Sequence, residues 1–160
     1  MSRYAQRRKK LRAELKRQGI AAMLVTDELN VTYLSGFSGD SSYLLVLPKN
    51  TVIISDFRYI QEIEHDCPDI DCFIRPSVQS MVEASRKLIT KAKVSSVALE
   101  GNSLSLGQAE ALSKALPNVN LATTSSMVEK LREIKDKQEI ATIRKAVKAA
   151  QKAFEVIKAS

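Results

Sequence analysis

Few side chains in this 160-residue chain could do chemistry, and their spacing limits what they could do. His65 is the only histidine and stands among Glu62, Glu64 and Asp66. Glu62 and Asp66, four apart, share a helix face. A hard cation, however, needs converging oxygens in a shaped cavity, so a solvated acidic helix end is expected, with no metal ligands. Ser38, Ser41 and Ser42 crowd a glycine-bracketed stretch. A serine nucleophile needs a base, and with His65 as the only histidine these hydroxyls are expected to satisfy their own loop backbone. Cys67 and Cys72 flank Pro68 outside any zinc or redox spacing and read as two half-buried thiols. No G-x-S-x-G, H-E-x-x-H, phosphate-loop or dinucleotide pattern occurs, and Gly36-x-x-Gly39 is too short for either loop. No catalytic residue is expected in this chain, which is predicted to be inactive alone.

Two other features near that loop could bind rather than react. Phe37 lies between two chain breakers, where it either plugs the edge of its own core or reaches outward to a partner or ligand. Asp56 and Arg58, two residues apart at a strand-to-helix join, are expected to cap and brace that corner.

The elements that must position these residues follow from periodicity. Tyr4, Leu11 and Leu15 lay an apolar stripe along a first helix that runs to about Gln18 and ends at Gly19. Ile20 to Val25 is a continuous apolar run, as expected for a strand covered on both faces. A short helical turn over Asn30 to Leu34 is followed by strands at Tyr43–Leu47 and Thr51–Ser55, an antiparallel hairpin across Pro48-Lys-Asn50. Asp56 is expected to cap a helix from Phe57 to about Asp66. A strand at Asp71–Arg75, a helix at Val78–Ala92, a strand at Ser96–Glu100, a helix at Leu106–Leu116 and a strand at Val119–Ala122 alternate behind it, with Pro76 and Pro117 at the joins. This order predicts a three-layer α/β domain with a mixed sheet.

The end of the chain differs. A short amphipathic helix carries Met127, Val128, Leu131 and Ile134, and Asp136-x-x-Glu139 has the form of a capping box that opens another. There Ile140, Ile143, Val147, Ala150, Phe154 and Ile157 form one stripe with no following sequence to cover it. That helix is expected to be displaced from the domain, frayed, or paired with a second chain.

Net charge is +7, and it is concentrated at the start: Arg3, Arg7, Arg8, Lys9, Lys10, Arg12, Lys16 and Arg17 face Glu14 alone within residues 1–17. The remainder carries acidic and basic residues in equal number. A solvated helix face is expected, against the alternative of an electrostatic surface for nucleic acid or an acidic partner. No apolar run is long enough to span a membrane and no signal peptide is evident, so a cytoplasmic location is expected.

Asn30-Val-x-Tyr33-Leu-Ser-Gly36-Phe-Ser-Gly39, the hairpin strand after it, and Ser55-Asp-Phe-Arg-Tyr59 resemble the amino-terminal domain of the Xaa-Pro peptidases and creatinase. Leu131-Arg-Glu-Ile-Lys135-Asp-Lys-Gln-Glu139-Ile resembles the segment by which that family enters its pita-bread catalytic domain. The resemblance implies a ribonuclease-H-like domain over residues 1–130, with residues 131–160 as linker and first helix of a missing catalytic domain. It implies a parent that hydrolyses the bond before proline, as an aminopeptidase or dipeptidase. Two divalent metals (Mn, Co or Zn) would be held by ligands this chain lacks. It further implies a homodimer in which Phe37, Ser38, Asp40 and Arg58 line a substrate entrance, where a carboxylate could meet a peptide's free amino group. A non-catalytic interaction module of the same fold, recognising an acidic protein or nucleic acid through the basic helix, is the alternative.

Overall fold

Ser2 accepts a hydrogen bond from the Ala5 amide and so opens the first helix, α1 (Arg3–Arg17), in the computed structural model, which describes residues 1–159. Gly19, at φ +69°, ends it, and the Ile20 amide donates back to Leu15 O at 2.9 Å, the left-handed stop that glycine permits. Then follow β1 (Ala22–Val25), α2 (Glu28–Ser35), β2 (Tyr43–Val46), β3 (Thr51–Ser55), a 3-10 turn (Phe57–Tyr59) and α3 (Ile60–Asp66). The remainder is β4 (Asp71–Ile74), α4 (Met81–Ala92), β5 (Ser96–Glu100), α5 (Leu106–Ala115), β6 (Asn120–Thr124), α6 (Met127–Glu133) and α7 (Lys137–Ala159).

Several boundaries depart from the sequence pattern for local reasons. β1 begins two residues into its apolar run because the Ile20 amide closes α1. The turn expected at Asn30–Leu34 is a full helix, because Asp27 accepts from the Asn30 amide and caps it upstream. The helix expected from Val78 starts at Met81: Gln79 donates to Pro76 O in a turn, and Ser80 with Glu83 then forms a capping box. The helix expected to begin at Phe57 splits into the 3-10 turn and α3.

The sheet has the order β4-β3-β2-β1-β5-β6. β2 is antiparallel to β1 and β3, across the hairpin expected at Pro48–Asn50, and the other pairings are parallel. The carboxyl ends of β1, β3, β4, β5 and β6 therefore share one edge with the start of β2. Side chains alternate between two cores. Met23 and Val25 of β1 face a layer containing Leu11 and Leu15 of α1, Val31 and Leu34 of α2, Ile63 of α3 and Val128 of α6. Ala22 and Leu24 face Ala84 and Ile89 of α4 and Leu112 of α5. All four β1 residues are buried, which accounts for the unbroken apolar run. Each fully buried Leu or Ile contributes roughly 1.5–3 kcal/mol.

α7 shares neither core. Every residue from Ile140 to Lys158 is exposed, so the stripe of Ile140, Ile143, Val147, Ala150, Phe154 and Ile157 lies uncovered along a regular helix displaced from the sheet domain. Among the described residues no helix is long and apolar enough to cross a membrane.

Candidate functional site

The shared carboxyl edge of the sheet collects the polar side chains. At its β2–β3–β4 end, the segment 36–42 is pinned from below by Phe37, which is fully buried and meets Tyr59 edge-on at 5.3 Å. Both bracketing glycines are needed. Gly36 sits at φ +92° with the Tyr4 ring where a Cβ would be, 2.6 Å away, and a Cβ on Gly39 would run into the Phe37 ring. Of the two positions left open for Phe37, the structure selects the core. Its expected place on a substrate entrance is corrected accordingly, because the ring has no exposed surface. The chain turns inward there because the Phe37 amide donates to Ser35 Oγ at 3.1 Å, and Ser35 in turn donates to Val31 O.

Ser42 Oγ donates to Asp40 O and shares a hydrogen bond of 2.8 Å with Ser55 Oγ, as expected of a hydroxyl that satisfies its own loop. Ser38, Ser41 and Asp40 are exposed. Asp56 follows β3 and is buried. It accepts from the Arg58 amide and, in bidentate fashion, from Arg58 Nε at 2.9 Å and NH2 at 2.8 Å, with the Arg75 guanidinium 3.6 Å away. The hydrogen bonds from Arg58 hold the Asp56 carboxyl at about 2, below the usual carboxylate range, and Asp56 in turn raises the Arg58 guanidinium. Arg58 is half exposed and lies 3.9 Å from Asp40, whose carboxylate also accepts a short hydrogen bond from the Tyr59 hydroxyl. That bond raises the Tyr59 phenol. The corner is braced as expected. It also presents a fixed guanidinium beside an exposed carboxylate.

At the β1–β5 end the carboxyl edge is closed. Glu100, 6% exposed, accepts from the Thr26 amide at 2.6 Å, the Asp27 amide at 2.8 Å, Asn30 Nδ2 at 2.8 Å and Ser103 Oγ. Asn30 also donates to Glu129 and accepts from Arg132 NH1 at 2.9 Å. Burial pushes the Glu100 carboxyl up, against the amides that favour its charge. This network ties β1, α2, β5 and α6 together.

The other sequence candidates stand apart. His65 is exposed and bonds only its neighbour Asp66, at 2.8 Å. Among the described residues no group of three or more His, Cys, Asp or Glu is placed to hold a metal ion. Both thiols are free. Cys67 is buried, with its pKa pushed by burial to about 11, whereas Cys72 is exposed rather than half-buried.

The arginines of α1 depart most from expectation. The solvated basic face is corrected in part: Arg7 and Arg8 are buried, and their NH1 groups donate to Tyr33 O and Leu34 O, carbonyls in the last turn of α2. Those carbonyls have no partner within their own helix, and the negative end of its dipole favours a cation there. Arg12 donates to Leu47 O, Asn50 O and Thr51 Oγ1 and so clasps the β2–β3 hairpin. Among the α1 cations, Arg3, Lys9, Lys10, Lys16 and Arg17 stay exposed. The one signal that could have separated the two sets is helical phase: Arg8 and Arg12 lie four apart, with Leu11 and Leu15 on the adjoining stripe.

The creatinase/prolidase N-terminal domain family model matches residues 7–134. The chain is 28% identical over 145 residues to the uncharacterized peptidase YqhT of Bacillus subtilis (strain 168), covering 91% of this chain and 40% of that protein. An Xaa-Pro dipeptidase from Bacillus anthracis superposes with a TM-score of 0.88 at 25% identity, over 96% of this chain and 42% of that one. The N-terminal domain of the cytoplasmic peptidase PepQ from Mycobacterium tuberculosis H37Rv superposes with a TM-score of 0.72 at 33% identity, over 79% of this chain and 98% of that one. The chain thus spans less than half of the first two and nearly all of the third.

Proposed function

Because the chain belongs to the creatinase/prolidase N-terminal domain family, we propose that it is the non-catalytic amino-terminal part of a metal-dependent Xaa-Pro peptidase whose downstream domain cleaves the bond preceding proline. The observation that carries this reading is the reach of the likeness. It extends over 96% of the chain, past residue 134 where the family match ends, while covering 42% of the dipeptidase. The helix reached there, α7, exposes the apolar stripe that a following domain would cover. In this reading residues 1–130 are the amino-terminal domain, and 131–160 lead into the catalytic one.

The residues present do not fit the two divalent ions of such a parent, since no group of three or more ligating side chains converges among the described residues. No step is therefore assigned to this chain. Its role is support: oligomerisation as a homodimer, and shaping of substrate access. Ser38, Asp40 and Arg58 are the groups proposed to line the entrance, with Asp40 placed to meet a peptide's ammonium group and Arg58 its carbonyl or carboxylate. Phe37 holds their loop from beneath. The cytoplasmic location stays a proposal, consistent with the relative named a cytoplasmic peptidase. The internal use of Arg7, Arg8 and Arg12 weighs against the alternative of a basic docking helix.

The test compares the full product of the reading frame, supplied with Mn²⁺, with the 160-residue chain alone, on Ala-Pro and Ala-Pro-Ala. Hydrolysis of either peptide by the full product and of neither by the chain is expected. A reading frame without metal-ligand motifs after Ser160, or a full product inert on both peptides, overturns the proposal.

A further inference from the structure

Asp136 and Glu139 cap α7 as the sequence foretells: Asp136 Oδ1 accepts the Gln138 and Glu139 amides, and Glu139 Oε2 accepts the Asp136 amide. Each carboxylate spends one oxygen this way. The other oxygen of each faces Arg7, whose NH2 lies 3.0 Å from both Asp136 Oδ2 and Glu139 Oε1. On its other branch, Arg7 NH1 donates to Tyr33 O at 3.0 Å. The guanidinium plane also stacks over the Tyr33 ring at 4.1 Å, with the Tyr4 ring at 5.5 Å. Tyr33 in turn donates its hydroxyl to Leu131 O in α6. One buried side chain thus binds the end of α2 and both members of the capping box, and reaches α6 through Tyr33.

We propose that Arg7 is the fastening of a rigid joint that fixes the direction in which α7 and its apolar face project from the sheet domain. This goes beyond the peptidase reading and does not depend on it. Packing does not do this work. A cleft of about 380 Å³, lined by Arg3, Tyr4, Thr32, Tyr33, Lys135 and Ile143 among others, opens between α7 and the body, and the helix is exposed from Ile140 onward. Among the described residues, the ion pairs between the domain and α7 all run through Arg7. The lever is long. A helix of 23 residues spans about 34 Å, so a rotation of about 10° at its base moves its far end by about 6 Å. Arginine suits the joint because its planar fork reaches a carbonyl and two carboxylates at once, whereas an ammonium is a point charge on a mobile stem.

The test uses the whole chain with Cys67→Ala and Cys72→Ser and with spin labels at exposed positions 16 and 152, read by pulsed electron resonance. The parent should give one narrow distance distribution. Arg7→Gln, and separately Asp136→Asn with Glu139→Gln, should each at least double its width. The second variant leaves each cap its accepting oxygen and replaces the oxygen that faces Arg7 with an amide NH2, so helix content measured by circular dichroism should hold. Arg7→Lys should not restore the narrow distribution. If Arg7→Gln fails to fold, the Asp136→Asn, Glu139→Gln variant decides. A broad distribution in the parent, or one unchanged in that variant, overturns the proposal.

Discussion

Two arginine-bearing regions of this domain contrast: the face of α1 and the corner after β3. On α1, Arg7 and Arg8 lie beneath the surface and serve the backbone, meeting the carbonyls that end α2. At the corner, Arg58 is fixed just as firmly by Asp56, yet half of it faces solvent beside Asp40. The difference is one of supply. The end of α2 offers bare carbonyls inside the fold, and a cation placed there satisfies acceptors that water cannot reach. The corner's acceptor is a buried carboxylate at the sheet's edge, which orients the guanidinium outward. Charge density along the chain therefore says little about where charge is available for recognition.

The contrast can be broken most forcefully from beneath the corner. Phe37→Ala removes a wholly buried ring from under the 36–42 segment and should cost about 3–5 kcal/mol in urea unfolding. A loss below about 1 kcal/mol would place the ring outside the core in solution.

Neighbouring positions on α1 then sharpen it. Arg8→Ala leaves Leu34 O without its donor and Asp69 without its 2.7 Å partner, and should cost about 2–3 kcal/mol, with Asp69 itself partly solvated. Lys9→Ala, one residue on and exposed, should stay within about 0.5 kcal/mol. Equal effects at the two positions would return α1 to the solvated face that its composition first indicated.

The smallest effect concerns pH. The folded state holds Asp56 at about 2, against an ordinary value of 3.8, so its contribution to stability is complete above the ordinary value and is lost as pH falls from there towards 2. The half-exposed Arg58 moderates the gain to about 1–2 kcal/mol. The urea midpoint should therefore decline between pH 4 and pH 2 less steeply in Asp56→Asn than in the parent. Parallel profiles would remove Arg58's bridge as the source of the corner's rigidity.

Much of the fold was legible because its elements carry local signals. Alternating apolar runs, Gly19, the hairpin at Pro48–Asn50 and the Asp136–Glu139 capping box each depend on residues a few positions apart. Boundaries shifted where a neighbouring closure took a residue, as Ile20 did at the end of α1 and Pro76–Gln79 before α4. The candidate site was legible only in part. Asp56 and Arg58, two residues apart, carry the brace in local sequence, whereas Tyr59 meets Asp40 across 19 positions. Glu100 was invisible as a hub, since its partners Thr26 and Asn30 lie 74 and 70 positions away.

The sequence by itself determined the order of elements, the family and the apolar stripe of α7, because periodicity, capping and motif order are written within a few turns of chain. The tertiary structure alone decided that Phe37 faces inward, that Glu100 is buried, and that the arginines of α1 hold the ends of α2 and α7. Those outcomes depend on which distant carbonyls and carboxylates the sheet's topology brings within hydrogen-bond reach, and no local pattern records that distance.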